Sequence, residues 1–402
     1  MPIRFDRNEF SGAFGDIGTD FALVTGIILA AHLDVASALI MFGLMQVLTG
    51  LMYGIPMPAQ PLKAMAVLVI AQKISGSILF GAGLAIGMVM LLLSVTGAID
   101  WLARVVPRVV IRGIQLGLGI QLALIALRDY VPAEGRAGYI LAAVAFAVAV
   151  ALLGNRKFPP AALIIGLGIV YACIFKIHAA DLVHGFGISL PRLNVPSHSA
   201  VWQGFVLLAL PQIPLSLGNS ILATRQVAED LFPAKQLTVR KIGLTYSLMN
   251  LVNPFFSGIP TCHGSGGMVG HYTFGARTGG SVLIYGSIYL ILGLFFSRAF
   301  GTALYLFPLP VLGVILFIEG VNLALLVRDT ASSRSALAVV LLTALMCVGL
   351  PYGYVVGLVA GTALAHLAKR NLVRLGCLPS APIPEEAQDS VDSPRPKAGN
   401  LS

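Results

Sequence analysis

Charge is what this sequence has least of. Only 11% of its 402 residues are Asp, Glu, Lys or Arg and 57% are hydrophobic, whereas a soluble domain carries about 25% charged residues. With a mean hydropathy of +0.88, there is more apolar surface than one soluble core can hide. Paired cysteines are missing as well. Cys173, Cys262, Cys347 and Cys377 stand singly, without metal-ligand spacing, which argues against a disulfide framework and a zinc site. There is no P-loop, no nucleophile with a neighbouring base and no metal constellation, so neither ATP-driven transport by this chain nor an enzyme is expected, and no cofactor. The polar start MPIRFDRNEF is unlike a signal peptide. Although the net charge is +9, the basic residues are scattered between apolar stretches rather than gathered into a nucleic-acid patch.

What the chain has in abundance is long uncharged intervals, among them Val35 to Leu62, Leu193 to Thr224 and Ser335 to Ala368. A spanning helix needs roughly 20 such residues. Gly and Pro punctuation divides the intervals into fourteen segments, starting near residues 10, 35, 60, 77, 107, 137, 159, 201, 238, 264, 279, 301, 333 and 351. With a cytoplasmic N-terminus, Arg4, Arg7, Arg104, Arg108, Arg225, Lys235, Arg240, Lys241, Arg277, Arg328 and Lys369, among others, fall inside. Only Lys73, Arg128, Arg136, Lys176, Arg192 and Arg298 fall outside, as the positive-inside rule requires. The expectation is an all-α polytopic protein of a plasma (inner) membrane with both termini cytoplasmic.

The chain also repeats. LTGLMYGIPMPAQPLKAM, with Gly54, Ile55 and Pro56, is answered 204 residues later by LVNPFFSGIPTCHGSGGM, with Gly258, Ile259 and Pro260. VPRVVIRGI at Pro107 is echoed by FPLPVLGVI at Pro308, and FGDIGT near Asp16 by LGNSIL near Asn219. Seven segments per half is an odd number, so the second half enters the membrane in the opposite sense. The repeats are expected at 1–195 and 196–374, with 375–402 a disordered Pro-rich tail.

Both repeated landmarks have the composition of interrupted helices, the third and the tenth. Pro56, Pro58 and Pro61 cannot donate backbone hydrogen bonds, and Pro260, Gly264, Gly266 and Gly267 play the corresponding part. Two half-helices starting inside the membrane aim their N–H groups and positive dipole ends at one point, which suits an anion. Lys63 lies in the first turn after the first break, and His263 and Ser265 lie at the second. The alternative is that the breaks are packing kinks, since Gly and Pro are common in membrane helices.

FGDIGT, GIPMPAQPLKAMA, VVIRGIQLGLG, PQIPLSLGNSILATRQVAEDLFP and GIPTCHGSGGMVGHYTFGARTGGS resemble the signature segments of the molybdate transporter family of plants, algae and bacteria. That family is a relative of the sulfate permeases without their C-terminal regulatory domain. The resemblance runs from about Phe10 to Glu319. It implies seven plus seven inverted segments, as in the sulfate and uracil permeases. A core domain of segments one to four and eight to eleven then carries substrate past a gate domain of segments five to seven and twelve to fourteen, in an elevator-like movement within a homodimer.

The expected oxyanion site comprises Gln60, Pro61, Lys63, Gln212, Asn219, Thr261, Cys262, His263, Gly264, Ser265 and Gly266. Gln212 and Asn219 are read as neutral donors to the anion or as helix-to-helix hydrogen-bonding groups. His263 is either a charged or donating ligand or a structural residue, and Cys262 is neither metal ligand nor nucleophile. Asp16, with Asp20 one turn on, carries a coupling proton, fixes Lys63, or serves as a structural cap or ion pair. Glu319 is a candidate proton site, with simple solvation near the cytoplasmic end the favoured reading. Arg277 is expected to anchor the end of the tenth segment to headgroups or to a nearby Asp or Glu. Molybdate uptake is the leading function. Sulfate transport, a nucleobase symporter of the same fold and an anion channel are the alternatives.

Overall fold

A computed structural model describes residues 2–99, 101, 105–152, 160–175, 186–300, 307–330, 332–370 and 372–373. The expected tail, Arg104 and Lys176 lie outside the described residues. The elements in order are α1 (Arg7–Ala13), α2 (Ile17–Ala31), α3 (Val35–Tyr53), β1 (Ala59–Pro61), α4 (Lys63–Gln72), α5 (Gly76–Thr96), α6 (Arg108–Ile125), α7 (Gly135–Ala151) and α8 (Pro160–Phe175). There follow α9 (His198–Leu231), α10 (Val239–Val252), β2 (Thr261–His263), α11 (Ser265–Thr273), α12 (Gly280–Phe295), α13 (Leu309–Leu325), α14 (Arg334–Gly349) and α15 (Gly353–Lys369).

Most helices begin within a few residues of the positions expected from sequence. The starts have local causes: Asp34, Ser197, Thr238 and Ser333 each accept a backbone N–H from the first turn of α3, α9, α10 and α14. The first segment differs from expectation, because it breaks after Ala13. The buried Glu9 of α1 accepts from the N–H groups of Arg277, Thr278 and Ser281, at 2.9, 2.8 and 3.0 Å, and so ties α1 to the start of α12.

Among the described residues, five helical stretches are long and apolar enough to cross a bilayer: Val35–Tyr53, Gly76–Thr96, Arg108–Ala151, His198–Leu231 and Leu309–Thr330. Large apolar side chains such as Leu92, Ile140, Leu345 and Val359 point outward and are exposed, as lipid contact requires. α4 and α11, of ten and nine residues, are too short to span and are half-helices. α3 packs along α12 and α5 along α10, while α6 lies against α13 and α14. Inside α9, Pro211 and Pro214 withdraw two backbone donors, and the helix loosens into π-helical turns at Phe205–Ala209 and Ser216–Ala223.

Candidate anion-binding site

β1 and β2 pair antiparallel, with Ala59 opposite His263, Gln60 opposite Cys262 and Pro61 opposite Thr261. Leu62 N donates to Pro260 O and Gly264 N to Pro58 O, which extends the ladder at both ends. Three-residue strands in the interior leave outer edges whose polar groups need partners. Side-chain amides supply them. Gln46 of α3 donates to Ala59 O at 2.6 Å and accepts from Ala59 N at 2.9 Å. Asn250 of α10 donates to Thr261 O at 2.6 Å and accepts from Thr261 N at 3.0 Å. Sequence reading missed both residues, yet their spacing equals that of the two Gly-Ile-Pro tripeptides.

α4 leaves β1 and α11 leaves β2, so both half-helices begin beside one cavity. It measures about 50 Å³ and is lined by Gln60, Lys63, Gln212, Leu215, Asn219, Ser220, Cys262, His263, Gly264, Ser265 and Gly266. Of the expected substrate residues, Pro61 and Thr261 do not border it. Side chains alternate along a strand, and the Gln60–Cys262 pair takes the cavity face while Pro61 and Thr261 do not reach it. His263 borders the cavity, and its ring sits edge-on to Tyr53 with Nε2 2.6 Å from Thr245 Oγ1, contacts that favour the structural of its two readings.

The backbone donors are only partly open. Gln212 Oε1 accepts from Ala64 N at 2.8 Å and Met65 N at 3.3 Å, and its Nε2 donates to Ser216 Oγ. Of the two readings of Gln212 this is the helix-to-helix hydrogen bond, with its amide oxygen capping α4. At α11 nothing lies within 4 Å of where a Cβ on Gly266 would stand. Gly264 and Gly267 must be glycine for space: a Cβ on Gly264 would strike the Gln60 side chain, and one on Gly267 the Asp16 carboxylate and Pro58.

Charge is concentrated on one side. Lys63 Nζ lies 2.8 Å from Glu319 Oε1, and Thr19 Oγ1 donates to Glu319 Oε2 at 3.3 Å. Of the readings of Asp16, a direct contact with Lys63 is not the one seen; its carboxylate accepts from Gln60 Nε2. The solvated reading of Glu319 is also corrected, since packing of α13 against α2 buries it to 6% exposure. Asp20 is fully buried, and neither carboxylate oxygen has a hydrogen-bond partner among the described residues. A second cavity of about 420 Å³ shares Asn219 with the first and is lined by Arg108, Arg112 and Gln226. Arg112 is held there by Asp329. Arg277 lies at the end of α11, but its side-chain partners are the carbonyls of Tyr272 and Ala276 and the Tyr272 ring, 3.6 Å from the ring centre, rather than a carboxylate.

Residues 8–122 and 204–323 match the family model described as molybdate transporter of MFS superfamily. The chain belongs to the molybdate transporter family. This transporter is 33% identical to Molybdate transporter 1 of Arabidopsis thaliana, over 90% of its own length and 88% of the relative's. It is 29% identical to Molybdate transporter 1 of Chlamydomonas reinhardtii, over 89% and 91%. Among solved structures, the transmembrane domain of the cyanobacterium bicarbonate transporter BicA aligns with a TM-score of 0.64 at 16% identity, covering 91% of the transporter and 98% of that chain. The inward-facing murine Solute Carrier 26 family member A9 anion transporter gives 0.71 at 15%, covering 93% and 70%. Membership of this family makes the chain an integral membrane transporter rather than an enzyme, and the solved structures show its fold.

Proposed function

We propose that the protein carries a tetrahedral oxyanion across the bilayer, molybdate first and sulfate second, and that the cavity between α4 and α11 is where the anion binds. The observation that carries this reading is Lys63 standing at the start of a half-helix, on the wall of a cavity of about 50 Å³. Pockets for drug-sized ligands run to about 300–1,000 Å³, so a small ion suits this one. The donors are the Lys63 ammonium, the Asn219 amide, the Ser220 and Ser265 hydroxyls and the open backbone at Gly266, a set that can satisfy several oxyanion oxygens together. Molybdate is preferred because the relatives' names specify it.

Recurrence of the elements at matching spacing, with α3 packed on α12 and α5 on α10, supports seven plus seven inverted segments. In this reading α4 and α11 travel with the core domain and α13 belongs to the gate, transport proceeds by alternating access, both termini are cytoplasmic and the assembly is a homodimer in the plasma (inner) membrane. A nucleobase symporter is disfavoured by the cavity's size and by Asn219, Ser220, His263 and Ser265, none of them carboxylates that would accept from ring N–H groups.

The test is binding and uptake of labelled molybdate by purified protein in proteoliposomes, with sulfate, tungstate, phosphate and uracil as competitors. Saturable uptake displaced by tungstate and sulfate is expected. Displacement by uracil, or large passive anion currents in place of slow turnover, would overturn it.

A further inference from the structure

We propose that Glu319 is the binding site of a proton carried together with the anion: the dianion takes Lys63 away from Glu319, and the released carboxylate picks up the proton. This rests on the reading of the α4–α11 cavity as the anion site. Lys63 belongs to both arrangements. Its side chain borders the cavity and retains 27% exposure, whereas the Glu319 side chain retains 7% and does not border it. An anion therefore reaches the ammonium from the cavity without reaching the carboxylate. Once its oxygens draw Nζ toward the cavity, Glu319 keeps only the hydroxyl of Thr19.

The sum of charges decides where the proton goes. Among the described residues, Asp16, Asp20 and Glu319 lie buried around Lys63, and Glu319 is the carboxylate paired with it. A dianion adds two more negative charges in a medium where uncompensated charge is costly. Asp16 already accepts from Gln60 and rests against Gly267, so its hydrogen bonding is independent of the lysine. Asp20 makes no ion pair or hydrogen bond with Lys63, so the anion takes nothing from it. Glu319 alone is bound to the group that the anion requires. The step balances simply: a solvent proton forms an O–H bond on the Glu319 carboxylate, Lys63 stays protonated throughout, and both revert when the anion leaves.

Other titratable groups near α13 do not compete for this role. Against Gly320, α6 presents Gly119 and Ala123, and Arg112, further along α6, is held by Asp329. Toward the other end of α13, Tyr130 lies against Gly313, and Glu134, beside Gly138, accepts from Tyr171 of α8. On α2 and α4 the facing groups are those already named.

Calorimetric titration of molybdate into the purified full-length protein, in two buffers of different ionisation heat, counts the protons. Wild type should take up about one proton per anion near neutral pH. Glu319→Gln should take up none and bind molybdate about tenfold more tightly, since a charged competitor for Lys63 has been removed. Glu319→Asp should keep the proton, as should Asp20→Asn. In proteoliposomes, Glu319→Gln uptake should no longer respond to an inward proton gradient. Binding by wild type without proton uptake overturns the proposal and leaves the anion site standing; so does a proton still taken up by Glu319→Gln. Absence of molybdate binding to wild type overturns both readings. The wild-type arm needs no variant to fold.

Discussion

Gln46 and Asn250 perform the same task on opposite edges of the two-stranded sheet, each clasping one residue's N–H and C=O with a side-chain amide. Removing either amide orphans two buried backbone groups, at about 1–3 kcal/mol for each. Gln46→Ala and Asn250→Ala should therefore lower the unfolding free energy in detergent markedly. Asn250→Asp, which keeps the acceptor and loses the donor, should fall between. An Ala variant as stable as wild type would show that water or a shifted strand takes the amide's place.

Lys63→Gln should weaken molybdate binding by about 2–5 kcal/mol, the range for truncating one partner of a desolvated charge pair, or thirtyfold and more in Kd. Because it also strands Glu319, the Lys63→Gln, Glu319→Gln double variant is the cleaner comparison against Glu319→Gln alone. Should both comparisons stay within twofold by calorimetry, Lys63 is a structural residue.

Gly264 and Gly266 are two residues apart and should respond differently to the same change. Gly264→Ala drives a methyl group into Gln60 and should impair assembly, read as aggregation on size-exclusion chromatography. Gly266→Ala meets no atom within 4 Å, so it should fold normally and lose uptake by crowding the cavity. Equal uptake by Gly266→Ala and wild type would argue that the anion does not approach this backbone.

Glu9→Gln tests the tie between α1 and α12. The carboxylate accepts three backbone N–H groups, and hydrogen bonds to charged groups are worth about 1.5–3 kcal/mol. Thermal unfolding in detergent should occur at a lower temperature, while molybdate Kd stays at the wild-type value because Glu9 does not border the cavity. A weakened Kd with unchanged stability would contradict this assignment.

The interruptions are readable in sequence because Pro56, Pro58, Pro61 and Pro260 act locally, on their own backbone. Partners across the fold are not. Lys63 and Glu319 are 256 residues apart, and nothing in either neighbourhood indicates that α13 brings its carboxylate to α4 rather than to solvent. Gln212 is recognisable as polar, but whether its amide gives or takes a hydrogen bond depends on where α4 ends. Pro61 and Thr261 depart from expectation for one reason: a Pro- and Gly-rich break reads as irregular chain, whereas two paired strands impose an alternation that turns every second side chain away from the cavity. Glu9 gives no signal, since an acidic residue near the start of a chain is ordinarily solvated.

The sheet also bears on the order of events during synthesis. β1 is translated long before β2, and until His263 has been made the inner edge of Ala59–Pro61 has no strand to pair with, for Gln46 serves only the outer one. Hydrocarbon offers nothing to an open strand edge. The first half-helix therefore cannot reach its final depth as the ribosome releases it; it must wait in water or against protein until the second strand arrives. A nascent chain stalled before residue 261 should leave α4 open to water-borne labelling reagents that the finished protein excludes.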